Sequence, residues 1–500
     1  MPKPQKTLRL IACVATLVMT ALVLPSAAAG SSSQLSLIQD DRELHGLAGE
    51  DPAAAMAEIK GLGVDILRTN LIYSRVYRTP RDRKKPRSFK TSDPNSPQYD
   101  WSLTDRVVDL AVANGLQVLM TVTTPGPFFS SASPRRCRRV PCTYKPKPSE
   151  FGAFVAAAAK HYRGRVDYYS LGNEFNLGKT WLTPRFARSG GTEYDFAGAT
   201  YRKMWLAGYK SIARHDRARR NRVLFGETAA IASPLPFLRS ALCIDARGRP
   251  FTGKLRRLQG CTGRVAKLNI AGLALHPYNS AGNGTPQLRT RNKKLIPIAH
   301  LPRAHKLLRQ AVRRRRIPGG KGIFITEFGY QTNPPDSISN VSLTEHVQYI
   351  NESDRLFYSD RRVKTVAQYE LTDVPQEDQF NTGLRFVGGA RKPSYDAYRV
   401  PLVVTRRSAN SVEVYGEVRP HRLLSAGPAT QVAIQVSENG GAFTTVQNQM
   451  TNARGFIKLN IRRSGAANAR WRLVWQNPDT GAFLNSRIAK AGKRLVYFKS

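Results

Sequence analysis

The sequence has 500 residues and a formal net charge of +43 at pH 7. This length exceeds that of one ordinary domain and suits one large domain followed by a smaller one. The basic residues are mostly arginines scattered through loops and helix faces, without the interleaved aromatics of a nucleic-acid platform. We therefore predict no dedicated nucleic-acid binding. The charge is interpreted as a solvated, arginine-biased surface, and the partner it would suit is an anionic glycan or an acidic cell-envelope surface.

The first 29 residues have the pattern of a secretory signal peptide. Basic residues precede an apolar stretch at 10–24, and the small residues at 25–29 place a cleavage site after Ala29. The apolar stretch is short for a membrane span, so an uncleaved anchor is the weaker alternative. We predict that the mature protein is secreted and extracellular.

The cysteines of the mature chain agree with export. They are four, and they allow three pairings in principle: Cys137, Cys142, Cys243 and Cys261. Each short-range pair would close a loop within one polar, Arg-rich segment, so we predict the disulfides Cys137–Cys142 and Cys243–Cys261. A zinc site is disfavoured because no histidine lies near either pair.

Strand-like and helix-like segments alternate between about residues 36 and 398. Apolar runs predict strands at 35–38, 64–70, 116–122, 166–171, 222–227, 268–276, 322–326 and 364–371. The segments between them predict helices at 52–61, 102–114, 148–162, 197–216, 302–315 and 343–359. Eight strands alternating with helices predict a (β/α)8 TIM barrel over 30–400. A doubly wound open sheet is the main rival, but the sequence has no G-x-G-x-x-G turn.

Residues 401–500 have a different pattern, with short runs that alternate in period two and are separated by turn residues. This pattern predicts a small antiparallel β-sandwich, which we interpret as an accessory domain. Trp471 and Trp475 lie four residues apart and so share one face of a strand. Core packing is the favoured role for this pair, and stacking on a sugar is the alternative.

Two of the predicted barrel strands deliver a glutamate at their C-terminal ends. Glu174 ends the run at 166–174, and Glu327 follows the run at 322–326. In a barrel of parallel strands the active site forms at that end. Cleavage of a glycosidic bond requires paired carboxylates, one to protonate the leaving oxygen and one to attack the anomeric carbon. Glu227 also ends a predicted strand and is the only serious competitor for either role.

The segments Leu171-Gly-Asn-Glu174 and Ile325-Thr-Glu327 resemble the signatures of glycoside hydrolase clan A, with families 5 and 39 the most similar. The resemblance covers most of residues 35–400. Further matches to the clan stand at the ends of other predicted strands and at the close of the barrel: Arg68, Ala274-Leu-His276-Pro-Tyr278 and Lys392-Pro-Ser-Tyr395.

The resemblance implies a role for each matching residue. Glu174 would be the general acid/base and Glu327 the nucleophile, with retention of configuration and carboxyl groups about 5–5.5 Å apart. Arg68 and Tyr278 would keep the nucleophile ionised.

Three further residues receive roles around this pair. Asn173 would bind the sugar 2-hydroxyl, and His276 would orient Glu174 or the substrate. Glu227 would contact substrate or support the site from behind.

The sequence departs from the clan where the sugar would stack. The clan commonly has a tryptophan at the end of the eighth strand, and this chain has Tyr369. Trp181 is a second candidate stacking surface, and Phe128 with Phe129 would offer aromatic walls. These changes leave the sugar and the linkage open.

The leading hypothesis is a secreted, monomeric, retaining O-glycoside hydrolase that cleaves a β-linked poly- or oligosaccharide and needs neither a metal nor a cofactor. A transglycosidase would use the same residues. The alternative from another class is a non-catalytic glycan or cell-envelope binder on a TIM-barrel scaffold.

Overall fold

The computed structural model describes residues 31, 33–138, 142–279, 284–375, 380–425, 427 and 429–499. The predicted signal peptide lies outside these residues. In the described part of the chain, no helix combines the length and the apolar character needed to cross a membrane.

Eight parallel strands form a closed barrel, in the order β1-β8-β7-β6-β5-β4-β3-β2. They are β1 Leu35–Gln39, β2 Ile66–Ile72, β3 Gln117–Thr123, β4 Tyr168–Leu171, β5 Val223–Ala229, β6 Gly272–His276, β7 Gly322–Ile325 and β8 Val363–Tyr369. The predicted TIM barrel is therefore confirmed. Each predicted strand overlaps an observed one, and the largest difference in bounds is four residues, at the start of β6.

The helices pack around the barrel or lie in its loops. They are α1 Asp41–Leu44, α2 Pro52–Gly61, α3 Tyr73–Val76, α4 Ser102–Ala113, α5 Pro148–His161, α6 Phe196–His215, α7 Pro234–Ala241, α8 Gly253–Leu258, α9 Pro302–Arg313, α10 Leu343–Ser359 and α11 Ser394–Arg399. Local chemistry sets several of their N-termini. Asp51 accepts from the backbone N–H of Ala53 ahead of α2, and Ser342 forms a capping box with Glu345 at α10.

Antiparallel strands follow the barrel and form two sheets. They are β9 Leu402–Ser408, β10 Ser411–Glu417, β11 Gln431–Ser437, β12 Thr444–Met450, β13 Phe456–Arg462, β14 Arg470–Gln476, β15 Phe483–Asn485 and β16 Ala489–Lys490. One sheet has the order β9-β10-β13 and the other β12-β11-β14-β15, with β16 beside β14. Trp471 and Trp475 are buried in the core that the two sheets share. Their role is therefore packing, and the sugar-stacking alternative is wrong.

Arg419, just after β10, joins the sandwich to the barrel. Its guanidinium is buried, with Nη2 2.9 Å from Asp354 Oδ2 on α10 and 3.2 Å from Glu417 Oε2. It also donates to the backbone carbonyl of Tyr398. On the barrel side, Gly63 has a φ of +81°, and a Cβ there would collide with the Arg419 carbonyl. The backbone of the barrel at Gly63 and that of the sandwich at Arg419 therefore pack directly against each other, beside the buried ion pair.

Both predicted disulfides are present. The Cα atoms of Cys137 and Cys142 lie 5.2 Å apart, and those of Cys243 and Cys261 lie 5.7 Å apart.

Candidate active site

Charged side chains from five barrel strands or strand ends converge at the C-terminal end of the barrel. Arg68 comes from β2, Glu174 follows β4, Glu227 lies in β5, His276 ends β6 and Glu327 follows β7. Because the C-terminal ends of parallel barrel strands meet at one face, residues far apart in sequence reach one another there.

Two of the glutamates have left-handed backbone conformations. Glu174 has a φ of +44° and Glu227 a φ of +47°, in a region that disfavours residues with a Cβ by about 1–2 kcal/mol. The two backbones are joined, since the N–H of Glu174 donates to the carbonyl of Glu227 at 2.7 Å. Asn173, just before Glu174, donates from its N–H to Thr123 Oγ1 at the end of β3 at 3.0 Å. Strained backbone of this kind concentrates at functional sites.

Arg68 lies beneath the cluster with no exposed surface. Its Nη1 donates to Glu327 Oε1 at 2.7 Å, and its Nη2 donates to Asn173 Oδ1 at 2.8 Å and to Glu227 Oε2 at 2.5 Å. Burial alone would lower the pKa of Arg68, but the charges of Glu227 and Glu327 outweigh it and raise that pKa. Arg68 is therefore a fixed cation that holds the side chains of Asn173, Glu227 and Glu327 in place relative to one another.

His276 is the second buried cation. Its Nδ1 lies 2.9 Å from Glu174 Oε1 and 3.3 Å from Glu327 Oε2, and its Nε2 lies 3.1 Å from Glu227 Oε2. Burial opposes the charged imidazole, yet the surrounding carboxylates raise the pKa of His276 to about 10. At neutral pH the ring is protonated, so both of its nitrogens donate, one toward the Glu174–Glu327 pair and one toward Glu227.

Glu227 is the buried anion that both cations share. Burial raises its pKa, but Arg68 and His276 overcome burial and lower the pKa of Glu227 to about 2. Its side chain is fully buried, as are those of Arg68 and His276. These three residues therefore have no surface to offer a sugar. This position fits the role of Glu227 as a buried partner that holds Arg68 and His276 in place. It does not fit direct contact with a substrate.

Glu174 and Glu327 are the carboxylates that face the opening. Their side chains keep 16% and 9% of their surface exposed. One oxygen of each lies within 4.8 Å of the other. The pKa of Glu327 is raised above its usual value, because burial and the neighbouring charge of Glu174 outweigh the opposing charges of His276 and Arg68. The two carboxyl groups are thus close enough to compete for one proton.

Tyr278 and Asn173 complete the polar part of the site. Tyr278 Oη donates to Glu327 Oε2 over a long 3.4 Å, and burial raises the pKa of this phenol well above its usual value. The Asn173 side chain is 3% exposed, and its amide oxygen is occupied by Arg68. Glu327 therefore has donors on both oxygens, and Asn173 is oriented by Arg68.

Aromatic rings lie at the mouth of the site, although not all of those that the sequence suggested. Tyr369 ends β8, and burial followed by the charges of Glu370 and Glu327 raises its pKa well above the usual value. Phe380, which the sequence analysis missed, is 50% exposed and lies 5.5 Å from the Tyr278 ring and 6.1 Å from the Tyr369 ring. Its only sequence signal is an aromatic residue in the loop after β8.

The other proposed stacking residues lie deeper. Phe128 and Phe129 are each 4% exposed, so the prediction that they form walls is wrong. Trp181 is half-buried against the barrel core, and its carbonyl accepts from Thr124 Oγ1 at 2.5 Å, just past the end of β3. It therefore lies at the end of the barrel that carries Glu174 and Glu327, and sugar stacking by Trp181 stays a prediction.

Glu174, His276 and Glu327 also bring together one potential metal-ligand atom each, all within 4.8 Å of one another. A metal ion requires a neutral imidazole. The pKa of His276, about 10, means that the ring carries both protons at neutral pH, and Arg68 donates to Glu327 from the other side. The donor set fits proton transfer between carboxyl groups better than it fits metal coordination.

No family model matches the chain, and no curated protein matches it in sequence. Several solved structures are similar to it. A family 39 glycoside hydrolase from Bacteroides cellulosilyticus WH2 is 15% identical with a TM-score of 0.49, over 86% of this chain and 80% of that one. A monomeric β-xylosidase from Caulobacter crescentus CB15 is 15% identical with a TM-score of 0.48, over 86% and 94%. A GH30 endoxylanase from Clostridium papyrosolvens C71 is 12% identical with a TM-score of 0.43, over 87% and 96%. At such identities an activity does not transfer from one protein to another.

Proposed function

We propose that this protein is a retaining O-glycoside hydrolase that cleaves a β-linked glycan through a glycosyl-enzyme intermediate. The observation that carries the proposal is the pair Glu174 and Glu327, which face the opening of the barrel with oxygens within 4.8 Å of each other. Retaining enzymes keep their carboxyl groups about 5–5.5 Å apart, whereas inverting enzymes need about 6.5–9.5 Å to admit a water. The short separation favours retention.

The charges of the site support one assignment of roles. Arg68 and His276 contribute two positive charges, and Glu174, Glu227 and Glu327 contribute three negative charges when all are ionised. A buried cluster of this kind is electrically balanced when the Glu174–Glu327 pair holds one proton. Arg68 and Tyr278 donate to Glu327, and such donors favour a carboxylate that attacks carbon. We therefore assign Glu327 as the nucleophile and Glu174 as the general acid.

In the first step, Glu174 gives its proton to the leaving glycosidic oxygen while a Glu327 oxygen attacks the anomeric carbon. The bond between the anomeric carbon and the leaving oxygen breaks, and an ester to Glu327 forms. In the second step, the Glu174 carboxylate takes a proton from water as the water oxygen attacks the same carbon. The ester breaks, Glu327 is released as a carboxylate, and both groups return to their starting states. A sugar hydroxyl in place of water would give transglycosylation.

The remaining residues suit binding of the sugar. Arg68 occupies the amide oxygen of Asn173, so a sugar 2-hydroxyl would accept from the Asn173 Nδ2. Tyr278, Tyr369 and Phe380 provide ring faces beside the nucleophile, and sugars present C–H faces that pack against such rings. Export of the protein, in line with its two disulfides, would bring it to extracellular polysaccharide.

The test uses the purified mature protein and the Glu327→Gln variant on a panel of aryl β-glycosides and β-linked polysaccharides. We expect release by the wild type and a loss of kcat/KM of at least roughly 10⁴-fold in the variant, since the attacking oxygen has lost its charge. Circular dichroism and the thermal midpoint check that the variant is folded. NMR of the first-formed anomer gives the stereochemistry.

Other outcomes contradict the proposal in distinct ways. Equal activity in both proteins would place the nucleophile elsewhere. Inversion of configuration would exclude the ester intermediate. A folded wild type that binds a polymer of the panel and releases no product would instead favour the non-catalytic binder.

A further inference from the structure

A groove lined by cations lies at the opposite end of the barrel from the carboxylates. Six basic side chains line it: Arg309, Arg313, Lys321, Arg361, Arg362 and Lys364. They come from α9, from the loops leading into β7 and β8, and from the start of β8. We call this feature the basic groove. The basic groove lies at the N-terminal ends of the barrel strands.

The cations of the basic groove are not neutralised by the protein itself. In the part of the chain that the structure describes, none of the six lies within 4 Å of a carboxylate oxygen. Asp360, the acidic residue that precedes two of them, is paired with His305 at 2.5 Å. Elsewhere the fold does neutralise its arginines, as with Arg385, which lies within 3.3 Å of carboxylates of Glu43, Glu50 and Glu58.

A second groove continues the first. The two share Val312, Ile317 and Gly319, and the second adds five more cations, including Arg314 and Arg316. Burial, followed by the charge of Arg314, lowers the pKa of Arg316. Arg314 and Arg316 are therefore close enough to repel one another, and an external anion bound between them would stabilise both.

The shape of the basic groove restricts the kind of anion. Its volume is about 410 Å³ and that of the adjoining groove about 850 Å³, within the usual range for ligand sites of roughly 300–1,000 Å³. The floor is aliphatic, with Leu308, Val312 and Ile317, and none of the described residues that line either groove is aromatic. Single-stranded nucleic acids rely on stacking against aromatic rings, which these grooves lack.

We propose that the basic groove binds an anionic polysaccharide whose sugars carry carboxylate groups. Arginine forks pair with carboxylates in two-point hydrogen bonds along the rim, and the aliphatic floor accepts the C–H faces of the sugars. Lys321, at the groove, directly precedes β7, and Glu327 follows the same strand. Because a strand rises roughly 3.3 Å per residue, the groove lies about 15–20 Å from the nucleophile. A polymer held there leaves the catalytic face free, so this binding does not depend on the proposed hydrolysis.

The experiment compares binding of the full mature protein to polygalacturonate with binding to its methyl-esterified form, across a range of salt concentrations. The groove variant carries Arg309→Gln, Arg313→Gln, Arg361→Gln and Arg362→Gln. A control variant of equal charge change carries Arg217→Gln, Arg220→Gln, Arg406→Gln and Arg462→Gln, all at exposed positions outside the groove.

We expect the groove variant to raise the Kd for polygalacturonate by at least about tenfold at low salt, with a weaker salt dependence. The control should stay within about threefold of the wild type, and the esterified polymer should bind weakly to all three proteins. Turnover of an aryl glycoside by the groove variant should equal that of the wild type, so a failure of the proposed hydrolysis and a failure of this inference can be told apart.

Three results would overturn the inference. The first is an equal loss of binding in the groove and control variants, which would mean that net charge alone attracts the polymer. The second is equal affinity for the esterified polymer. The third is tighter, groove-dependent binding of duplex DNA than of polygalacturonate.

Discussion

His276 and Glu227 form a fully buried ion pair, with Nε2 3.1 Å from Oε2, directly behind the two carboxylates that face the barrel opening. The charge of Glu327 and the hydrogen bonds to Glu174 and Glu227 keep the imidazole of His276 protonated where burial alone would remove its charge. The ion pair also couples the protonation of the Glu174–Glu327 pair to Glu227, whose side chain has no exposed surface. Four substitutions test this arrangement.

The first concerns Glu227→Gln. The variant removes one negative charge, so two cations then face only Glu174 and Glu327, and the proton shared by that pair is held less strongly. We expect kcat/KM to fall by roughly 10–10³-fold, and the alkaline limb of its pH profile to move to lower pH. A pH profile on one aryl glycoside tests this. A loss of activity with an unmoved profile would mean that Glu227 serves only folding.

The second concerns Glu174→Ala, which removes the general acid and leaves the nucleophile in place. For substrates with poor leaving groups we expect a loss of roughly 10²–10⁴-fold, and for dinitrophenyl glycosides a much smaller loss in the first step, because their leaving group needs no proton. A series of aryl glycosides measures this dependence. Glu193→Ala, at a glutamate that pairs with Arg188 in an exposed hairpin, is the control. An equal loss across the series would argue against Glu174 as the acid.

The third concerns stability and pH. The pKa of His276 is raised from 6.5 to about 10, so its protonated form stabilises the folded state. This contribution is fully present below about pH 6.5 and disappears as the pH rises through about 10. The difference in free energy of unfolding between wild type and His276→Gln should therefore shrink over that range, by at most about 5 kcal/mol. Urea unfolding between pH 6 and 10.5 measures it, and a difference that does not change with pH would contradict the assigned charge.

The fourth concerns Phe380, the exposed ring beside Tyr278 and Tyr369. Phe380→Ala should raise KM for oligosaccharides by roughly 2–10-fold through lost ring contact, with little change in kcat on a small aryl glycoside. Phe483→Ala is a matched control, since Phe483 is 63% exposed on the sandwich. An unchanged KM for every oligosaccharide tested would place the sugar chain elsewhere.

The barrel and the strand-end position of Glu174 and Glu327 could be predicted because both depend on local patterns. Apolar runs of strand length identify the strands, and a glutamate just after such a run must lie at one end of the barrel. The same reasoning could not separate the roles of Glu227 and Glu327, since both end strands. The exposed fraction of the side chain distinguishes them, since it is 0% for Glu227 and 9% for Glu327. That exposure depends on how the eight strands close into a barrel, which no local pattern indicates.

Local sequence patterns do not indicate contacts between distant parts of the chain, and only the family resemblance predicted that Arg68 would serve Glu327. Arg68 reaches Asn173, Glu227 and Glu327, which lie 105, 159 and 259 residues away, and no local pattern indicates that one guanidinium serves all three. The Phe128–Phe129 prediction failed for a related reason. Aromatic residues after a strand end can turn toward solvent or toward the core, and here both rings pack inside.

The buried contact of Arg419 with Asp354 has a consequence for how this protein can be cut or recombined. Removing the chain after Val400 would leave the Asp354 carboxylate on α10 without its cation, in surroundings that raise its pKa to about 6 even with Arg419 present. The barrel alone would therefore be a destabilised fragment. The sandwich is not an independent domain on a flexible linker and cannot be exchanged for another without loss of this contact. A surface bound by the sandwich would therefore fix the direction in which the end of the barrel that carries Glu174 and Glu327 faces.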